Sequence, residues 1–456
     1  MPIAAAIEAV LNKENIDFAI IEAHPTTLAS QGAIKTTLLQ DAKGKLQVYY
    51  SADSLLDINA VCKLTQRELK ATSSEDVENI CTKLQLERLT TVPGALEYDM
   101  VIDQSLIEVE SYNLDSGTER NIIAINNTQF KQLIRDAAIG DISIHEHSLQ
   151  TSTLDDIDDV EQITVAVANF TQLRIKQRLE ETLEFPPLPD TAQRIIKLRA
   201  DPNADIQDLT DIVESDPPLA AQVVSWAASP YYAAPGKIKS IHDAIVRVLG
   251  FDLVLNLSLG LALGKTLSMP KDAPKGFSSY WQQAVYAAAT VEALVGAIPP
   301  KSRPTMGMAY LSGLLHNFGY LILAQVFPPH FSSICRYQEA NPFSNHSLIE
   351  RHILGVTREQ LGSWLMRTWN MPEEVSNGLR FQNEKSYEDD DSAYANLVFV
   401  AMRLLRKHGI GNAPLEDIPA EMYERLSLDP EKAAEAVERV IESSADLELM
   451  ASNMAA

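Results

Sequence analysis

Helix start and stop signals recur along this chain from about residue 170 to its end, and no period-two strand pattern interrupts them. Asp216 precedes Pro217, and proline is tolerated in a first helical turn because its missing N–H would have no partner there. Thr357 precedes Gln360 by three residues, which is the spacing of a capping box. This region is therefore predicted to form an all-α domain of about ten or more helices.

The first 140 residues or so differ from this region, because they contain strand patterns as well as helix patterns. Leu46, Val48 and Tyr50 alternate with Gln47 and Tyr49, which is the pattern of a half-buried strand. A turn signal at 41–44 separates this run from 36–40, so a hairpin is expected. Further candidates are strands at 18–21, 100–102 and 122–125 and a helix at 74–84.

The length of 456 residues exceeds what one hydrophobic core usually holds, so roughly two or three domains are expected. We expect an α+β multidomain protein. Its parts are a mixed α/β domain over 1–142, an acidic linker over 143–168, an all-α helical bundle over 169–410 and an acidic helical tail over 411–456. The linker is inferred from four carboxylates within 154–159, because like charges repel and stay solvated.

The formal net charge of −24 disfavours binding to DNA or to an anionic membrane, since both are polyanions. Cys62, Cys81 and Cys335 are scattered and form neither a CxxC pair nor a disulfide framework. The first residues carry no basic signal-peptide region, and no run reaches the ~18 apolar residues of a membrane span. A bacterial cytoplasmic protein with reduced thiols is the resulting expectation.

One histidine lies in the most apolar stretch of the chain. The segment 314–320 reads LLHNFGY, inside a helix predicted to run from about 306 to 327. A His beside a carboxylate on a buried helix is one way to hold a divalent metal and activate water. Here the second position is Asn317, whose carboxamide carries no charge to neutralise such a cation.

Short motifs follow one another through the helical region. They are 185–189 (FPPLP), 216–219 (DPPL), 240–245 (SIHDAI), 249–250 (LG), 315–317 (LHN) and 369–372 (WNMP), with Trp281 among them. In this order they resemble an HDOD domain, a degenerate relative of the HD and HD-GYP phosphohydrolases, over about 171–407. One departure is Ala228-Ser229, where that family usually carries Asn-Ser.

The resemblance implies where catalytic relatives hold their metal ligands. Those positions are here Gln283, His316, Asn317, Arg358, Gln382 and Asn383. A divalent site normally needs at least three protein ligands, so we expect a former metal pocket that binds neither metal nor cofactor. His316 is then expected to be a core histidine, with Asn317 and Gln283 bonded to each other or to it.

A second set of residues, His346, Glu350 and His352, also contains metal-ligand types. His346 and Glu350 would share one face of a helix, whereas His352 would lie elsewhere on it. This replacement site is the less favoured alternative. A residual phosphohydrolase is a separate and also disfavoured expectation, because the ligand set of the catalytic relatives is missing.

The N-terminal region has its own resemblance. The segment 33–38 (AIKTTL), the hairpin to Tyr50 and the segment 92–94 (VPG) occur in the order of the YbaK-like fold of aminoacyl-tRNA deacylases and editing domains. That resemblance implies that Lys35 is a candidate catalytic residue that polarises the substrate ester. The alternative is a lysine at the surface or at a strand edge. Thr90 and Thr91 precede the VPG segment, where the family usually has glycine.

Two functions follow as expectations. The first is a non-catalytic cytoplasmic signalling protein, whose HDOD bundle binds protein partners and whose YbaK-like domain is a second binding or sensing module. The second is an aminoacyl-tRNA deacylase centred on Lys35, for which aminoacyl-tRNA would be the partner.

Overall fold

The computed structural model describes residues 3–22, 32–118, 121–149, 159–171, 187–234, 236–267, 270, 273–275, 277–414 and 416–455. The chain divides into two compact units. The first is Met1–Thr151 with Pro274–Gly276 and Ser332–Ser344. The second is Ser152–Ala273, Phe277–Phe331 and Asn345–Ala456.

The first unit mixes strands and helices, as expected. Its strands are β1 (Ala19–Glu22), β2 (Ile34–Asp41), β3 (Gly44–Ser51), β4 (Ser54–Leu56), β5 (Lys70–Ala71), β6 (Asp99–Asp103), β7 (Ser111–Asp115), β8 (Asn121–Asn126), β9 (Ala138–Gly140) and β10 (Ser143–His145). Its helices before residue 150 are α1 (Ala5–Lys13), α2 (Ile58–Thr65), α3 (Ser74–Lys83), α4 (Asn127–Leu133) and α5 (Glu146–Leu149).

These strands form a five-stranded sheet in the order β5-β2-β3-β6-β9, a three-stranded sheet β1-β8-β7 and a pair β10-β4. The predicted hairpin is β2 and β3, which pair antiparallel with Lys35 opposite Tyr50. Strands β3, β6 and β9 run parallel to one another. Ile34, Leu38 and Tyr49 face the main core of this unit, so Lys35 and Tyr50 lie on the opposite face of the sheet.

The second unit is helical throughout its described residues. The α-helices after residue 158 are α6 (Asp159–Thr171), α7 (Asp190–Arg199), α8 (Ile206–Glu214), α9 (Pro217–Ala227), α10 (Ile241–Ala244), α11 (Phe251–Gly264), α12 (Tyr280–Ala297), α13 (Met306–Leu315), α14 (Phe318–Val326), α15 (Pro328–Ala340), α16 (His346–Leu354), α17 (Arg358–Thr368), α18 (Glu373–Arg380), α19 (Ser392–Lys407), α20 (Ala420–Arg425), α21 (Pro430–Glu442) and α22 (Ser444–Ala455). Most of α15, from Ser332 onward, is assigned to the first unit.

Two of the predicted helix caps are present. The Asp216 carboxylate accepts from the backbone N–H of Leu219, so α9 begins at Pro217. Thr357 and Gln360 form a reciprocal capping box at the start of α17. No helix among the described residues is long and apolar enough to cross a membrane.

The prediction of a single helix over 306–327 was wrong, because the structure has two helices there. The chain leaves helical geometry at Asn317 (φ −105°, ψ 18°), and α13 and α14 lie on either side of the break. The apolar pattern resumes after this point, and Asn317 and Gly319, which are both poor helix formers, lie at the break. After it, Gly319 approaches the backbone of Arg358 so closely that an added Cβ would lie 1.8 Å from the carbonyl oxygen.

The segment expected to be an acidic linker is divided between the two units. Ser143–Leu149 belongs to the first unit as β10 and α5, whereas Asp159 begins α6 in the second. Asp155, Asp156 and Asp158 lie outside the described residues. The acidic tail packs on α12, where Gln282 and the Tyr286 hydroxyl both donate to the Glu448 carboxylate. The tail is therefore part of the helical unit, because α21 and α22 bury apolar side chains such as Val437.

Candidate functional site

All six positions of the expected pocket lie in the second unit, and hydrogen bonds join Gln283, Asn317 and Arg358 in one set and His316 and Gln382 in another. His316 and Asn317 stand at the break between α13 and α14. The Gln382 amide donates to the His316 carbonyl over 2.7 Å, and the Asn317 amide lies 3.5 Å from Oε1 of Gln283. The expected contact between Asn317 and Gln283 is thus present at the outer limit of a hydrogen bond.

The imidazole of His316 is a core group, with 5% of the residue exposed. Its Nδ1 donates to the Gly313 carbonyl over 2.7 Å, because a carbonyl oxygen can only accept. Its Nε2 therefore carries a lone pair, and this atom has no hydrogen-bond partner among the described residues. Burial lowers the pKa of His316 from 6.5 to about 4, so the ring is neutral near pH 7.

Arg358 places a positive charge in the middle of this cluster. Its Nε donates to Oε1 of Glu350 over 2.5 Å, its backbone N–H donates to Oε2 of the same carboxylate over 2.8 Å, and Nη1 donates to Asn317 over 2.9 Å. The side chains of Arg358 and Glu350 are 2% and 0% exposed. Burial raises the pKa of Glu350, an effect that Arg358 partly offsets. The ring of Tyr320 lies 5.1 Å below the guanidinium.

A second buried carboxylate, Glu359, extends the network. Its Oε1 accepts from Nε2 of His346 over 2.7 Å and from the Asn383 amide over 3.0 Å. Burial alone would raise the pKa of Glu359, but His346 and Arg358 outweigh it and hold that pKa well below its ordinary range. The sequence offered no signal for this role, because a Glu in the first turn of a helix normally serves the helix dipole.

The structure contradicts the less favoured alternative, a replacement metal site at His346, Glu350 and His352. His346 pairs with Glu359, and Glu350 pairs with Arg358. Within the part of the chain that the structure describes, no three His, Cys, Asp or Glu side chains come together in a way that could hold a metal ion.

The pKa of His316 leads to a prediction about acid stability. Between pH 6.5 and about pH 4 the unfolded imidazole is protonated and the folded one is not, so the free energy of unfolding falls as pH falls through this window. We expect His316 to account for roughly 2–3 kcal/mol of that fall. Urea unfolding of wild type and His316→Asn at several pH values between 7 and 4 measures it. The slope should be shallower in the variant, and parallel slopes would contradict the assignment.

In the first unit, Lys35 lies on β2 and its ammonium pairs with Oε1 of Glu146 over 3.2 Å. The two side chains are 26% and 25% exposed, so water reaches both. Lys35 is therefore neither a free surface lysine nor a buried one.

The polar groups beside Lys35 are already bonded within the first unit. The Thr37 hydroxyl donates to the Ala340 carbonyl over 3.0 Å, and the Tyr50 hydroxyl lies 3.2 Å from the Thr37 oxygen. Burial, to which the Glu146 charge adds, raises the pKa of Tyr50 to about 12. Residues 332–344 thus fill part of the sheet face that Lys35 shares, and no sequence signal pointed to them.

The VPG segment at 92–94 and the threonines before it belong to the core of the first unit. Val92 is fully buried, Thr91 exchanges hydrogen bonds with the backbone of Asp115, and the Gln47 amide donates to the Thr90 carbonyl. Gly94 has a φ of +84°, which explains why glycine stands at this turn.

Comparison with known proteins adds to this geometry. The model of the HDOD domain matches residues 185–385. A solved structure from Marinobacter aquaeolei VT8, provisionally described as a signal transduction protein, is 39% identical, covers 100% of both chains and has a TM-score of 0.91.

Two further similarities cover parts of the chain. A structure provisionally described as a trans-editing enzyme for prolyl-tRNA synthetase covers 32% of this chain and 98% of its own, at 17% identity and a TM-score of 0.27. An uncharacterised protein of Treponema pallidum (strain Nichols) is 22% identical over 272 residues, which are 58% of this chain. The chain spans about half the length of that curated relative.

Proposed function

Because this chain belongs to the HDOD family, we propose that it is a non-catalytic regulatory protein of signal transduction whose helical unit binds protein partners. Its YbaK-like unit is proposed to act as a second binding or sensing module. The observation that carries the proposal is the Arg358 guanidinium, which is buried and bonded to Glu350 and Asn317.

The residues of this cluster do not fit a divalent cation. The Asn317 oxygen and the Glu350 carboxylate, which could have served as ligands, already accept from Arg358. A metal ion near them would be repelled by the guanidinium, and the amides of Gln283 and Gln382 bring no negative charge. We therefore derive no hydrolytic step for this site and interpret it as a structural network.

Elemental analysis and an activity assay test the non-catalytic part of the proposal. Protein purified without chelator is expected to hold much less than one transition-metal or magnesium ion per chain. Hydrolysis of bis(p-nitrophenyl) phosphate with added Mn²⁺ should match that of His316→Ala. A near-stoichiometric ion, or hydrolysis that His316→Ala abolishes, would overturn this part.

The partner-binding part needs its own measurement. Tagged full-length chain, captured from the cells that produce it, should return one protein near a one-to-one ratio that is absent from a capture with an unrelated tagged protein. The purified pair should then sediment as a complex. A chain that sediments as a monomer with every candidate would count against partner binding.

A second candidate function rests on Lys35. Its ammonium is accessible to water and lies beside the Glu146 carboxylate, which is an arrangement that could polarise an ester carbonyl once the ion pair opens. The aminoacyl ester of a tRNA is the substrate class that the N-terminal resemblance suggests. The net charge of −24 opposes tight tRNA binding, so this candidate ranks second.

Deacylation of mischarged tRNA separates the two candidates. If the N-terminal unit is a deacylase, Lys35→Ala should lower the rate of ester hydrolysis by about 10²–10³. Lys43→Ala is the matched control, because Lys43 is an exposed lysine in the turn of the same hairpin. Equal rates for wild type and both variants, at the uncatalysed level, would exclude the deacylase.

A further inference from the structure

Helix α6 lies outside the region that the HDOD family model matches. It spans Asp159–Thr171 and so lies before the matched family region of 185–385, whereas α17 and α18 lie within that region. It packs against α17 inside the second unit. Ile163 and Ala166 are buried, at 4% and 3% exposed, while Val160 and Val165 on the same helix are 55% and 50% exposed. Among the side chains of α6 that the structure describes, those of 159–167, only Ile163 and Ala166 are buried, so the apolar contact of this part of the helix is small.

A polar clamp adds to that contact at the first turn of α6. Arg380, at the end of α18, binds the Asp159 carboxylate with two hydrogen bonds of 2.6 and 3.0 Å. The Gln360 amide donates to Asp159 over 2.7 Å and to Gln162 over 2.9 Å. The Arg380 side chain is 7% exposed, so this ion pair is well shielded from solvent.

Gln360 and Arg380, which bind Asp159, both lie in helices of the matched family region. Gln360 closes the capping box of α17 through its other amide atom, because its Oε1 accepts from the Thr357 backbone. Arg351 lies close enough to Arg380 and Asp159 to interact with both electrostatically. Glu359 and Glu384 also interact electrostatically with Arg351, so Arg380 is the cation that pairs directly with a carboxylate in the first turn of the bound helix.

We propose that this face, centred on Arg380 and Gln360, is a helix-binding site that α6 occupies within the same chain. A partner protein would supply an amphipathic helix with an Asp or Glu in the matching first-turn position and displace α6. This inference rests on the proposed partner-binding function and names the surface and the kind of partner. Gln360 directly follows Arg358 and Glu359 in the chain. Replacement of α6 by a partner's helix would therefore act next to the buried ion pairs of these two residues.

Hydrogen exchange on the full-length chain tests whether α6 is releasable. Amides of α6 should open at least ~10-fold more often than those in the middle of α17 and α18. Asp159→Lys, which faces Arg380 with a like charge, should increase α6 exchange at least ~10-fold further and leave α17 and α18 protected. The charge swap Asp159→Lys with Arg380→Glu should restore the protection. Loss of protection throughout the second unit, or equal exchange of α6 and α17, would show that α6 is integral and overturn the proposal.

A peptide of residues 157–172 with a fluorescent label then reports on the vacated face. It should bind the Asp159→Lys chain at least ~10-fold more tightly than wild type, since the internal helix no longer competes at high effective concentration. The same peptide with its own Asp159→Lys change should not bind. Equal affinity of the peptide for both chains, or no binding to either, would contradict a helix-binding site. If a partner binds the chain at a surface other than the one centred on Arg380 and Gln360, the proposed function stands and the helix-binding site is refuted.

Discussion

Arg358→Met is expected to lower the free energy of unfolding of the helical unit by about 3–5 kcal/mol. The substitution keeps much of the side-chain volume and removes the charge, so Glu350 would remain fully buried without its cation. Asn317 would also lose the donor that bonds to its oxygen. Urea unfolding followed by circular dichroism near 222 nm measures the effect, with thermal unfolding as a second readout.

The double variant Arg358→Met with Glu350→Gln is the matched control. It removes both charges, and we expect it to recover most of the lost stability, because the penalty comes from the unpaired carboxylate and not from the missing attraction. A double variant that is as unstable as Arg358→Met would show that the guanidinium acts through packing on Tyr320 instead. A single variant within about 1 kcal/mol of wild type would refute the structural role of the ion pair.

Gly319→Ala is expected to destabilise the same unit by at least about 2–3 kcal/mol. A Cβ at Gly319 would lie 1.8 Å from the Arg358 carbonyl oxygen and 2.6 Å from its carbonyl carbon, so α14 and α17 must separate. Gly362 lies on the facing helix, where an added Cβ would meet the Gly319 backbone nitrogen at 3.2 Å. The neighbours are backbone atoms, which cannot turn aside as a side chain can.

Gly296→Ala tests that this cost is steric. Gly296 lies in α12, and an added Cβ there would meet no atom within 4 Å. Alanine is the better helix former, so this variant should be equal to wild type or more stable by roughly 0.5–1 kcal/mol. If both glycine variants changed the free energy of unfolding alike, the close approach of α14 and α17 would not be the cause.

The division into a mixed α/β part and a helical part could be predicted from short stretches of sequence. Alternation in 46–50 and the turn signal at 41–44 together predicted the β2–β3 hairpin, and the Thr357–Gln360 spacing predicted the start of α17. Both signals act between residues a few positions apart, where chain geometry alone decides the contact. The six residues of the expected former metal pocket follow from a family resemblance, and the structure places all of them in one helical unit.

Contacts between distant positions were beyond such signals. The run 306–327 is mostly apolar, and Asn317 and Gly319 are only weak local signals for the break at His316-Asn317; the close packing of Gly319 on Arg358 accompanies it. The ion pairs of Glu350 with Arg358 and of Glu359 with His346 join α16 to α17, so they depend on how these two helices pack. Asp159 likewise changed from a residue of an acidic linker to the partner of Arg380. Local propensity sets which segments become helices, whereas the burial of charge makes partners obligatory, and only tertiary packing selects which residues they are.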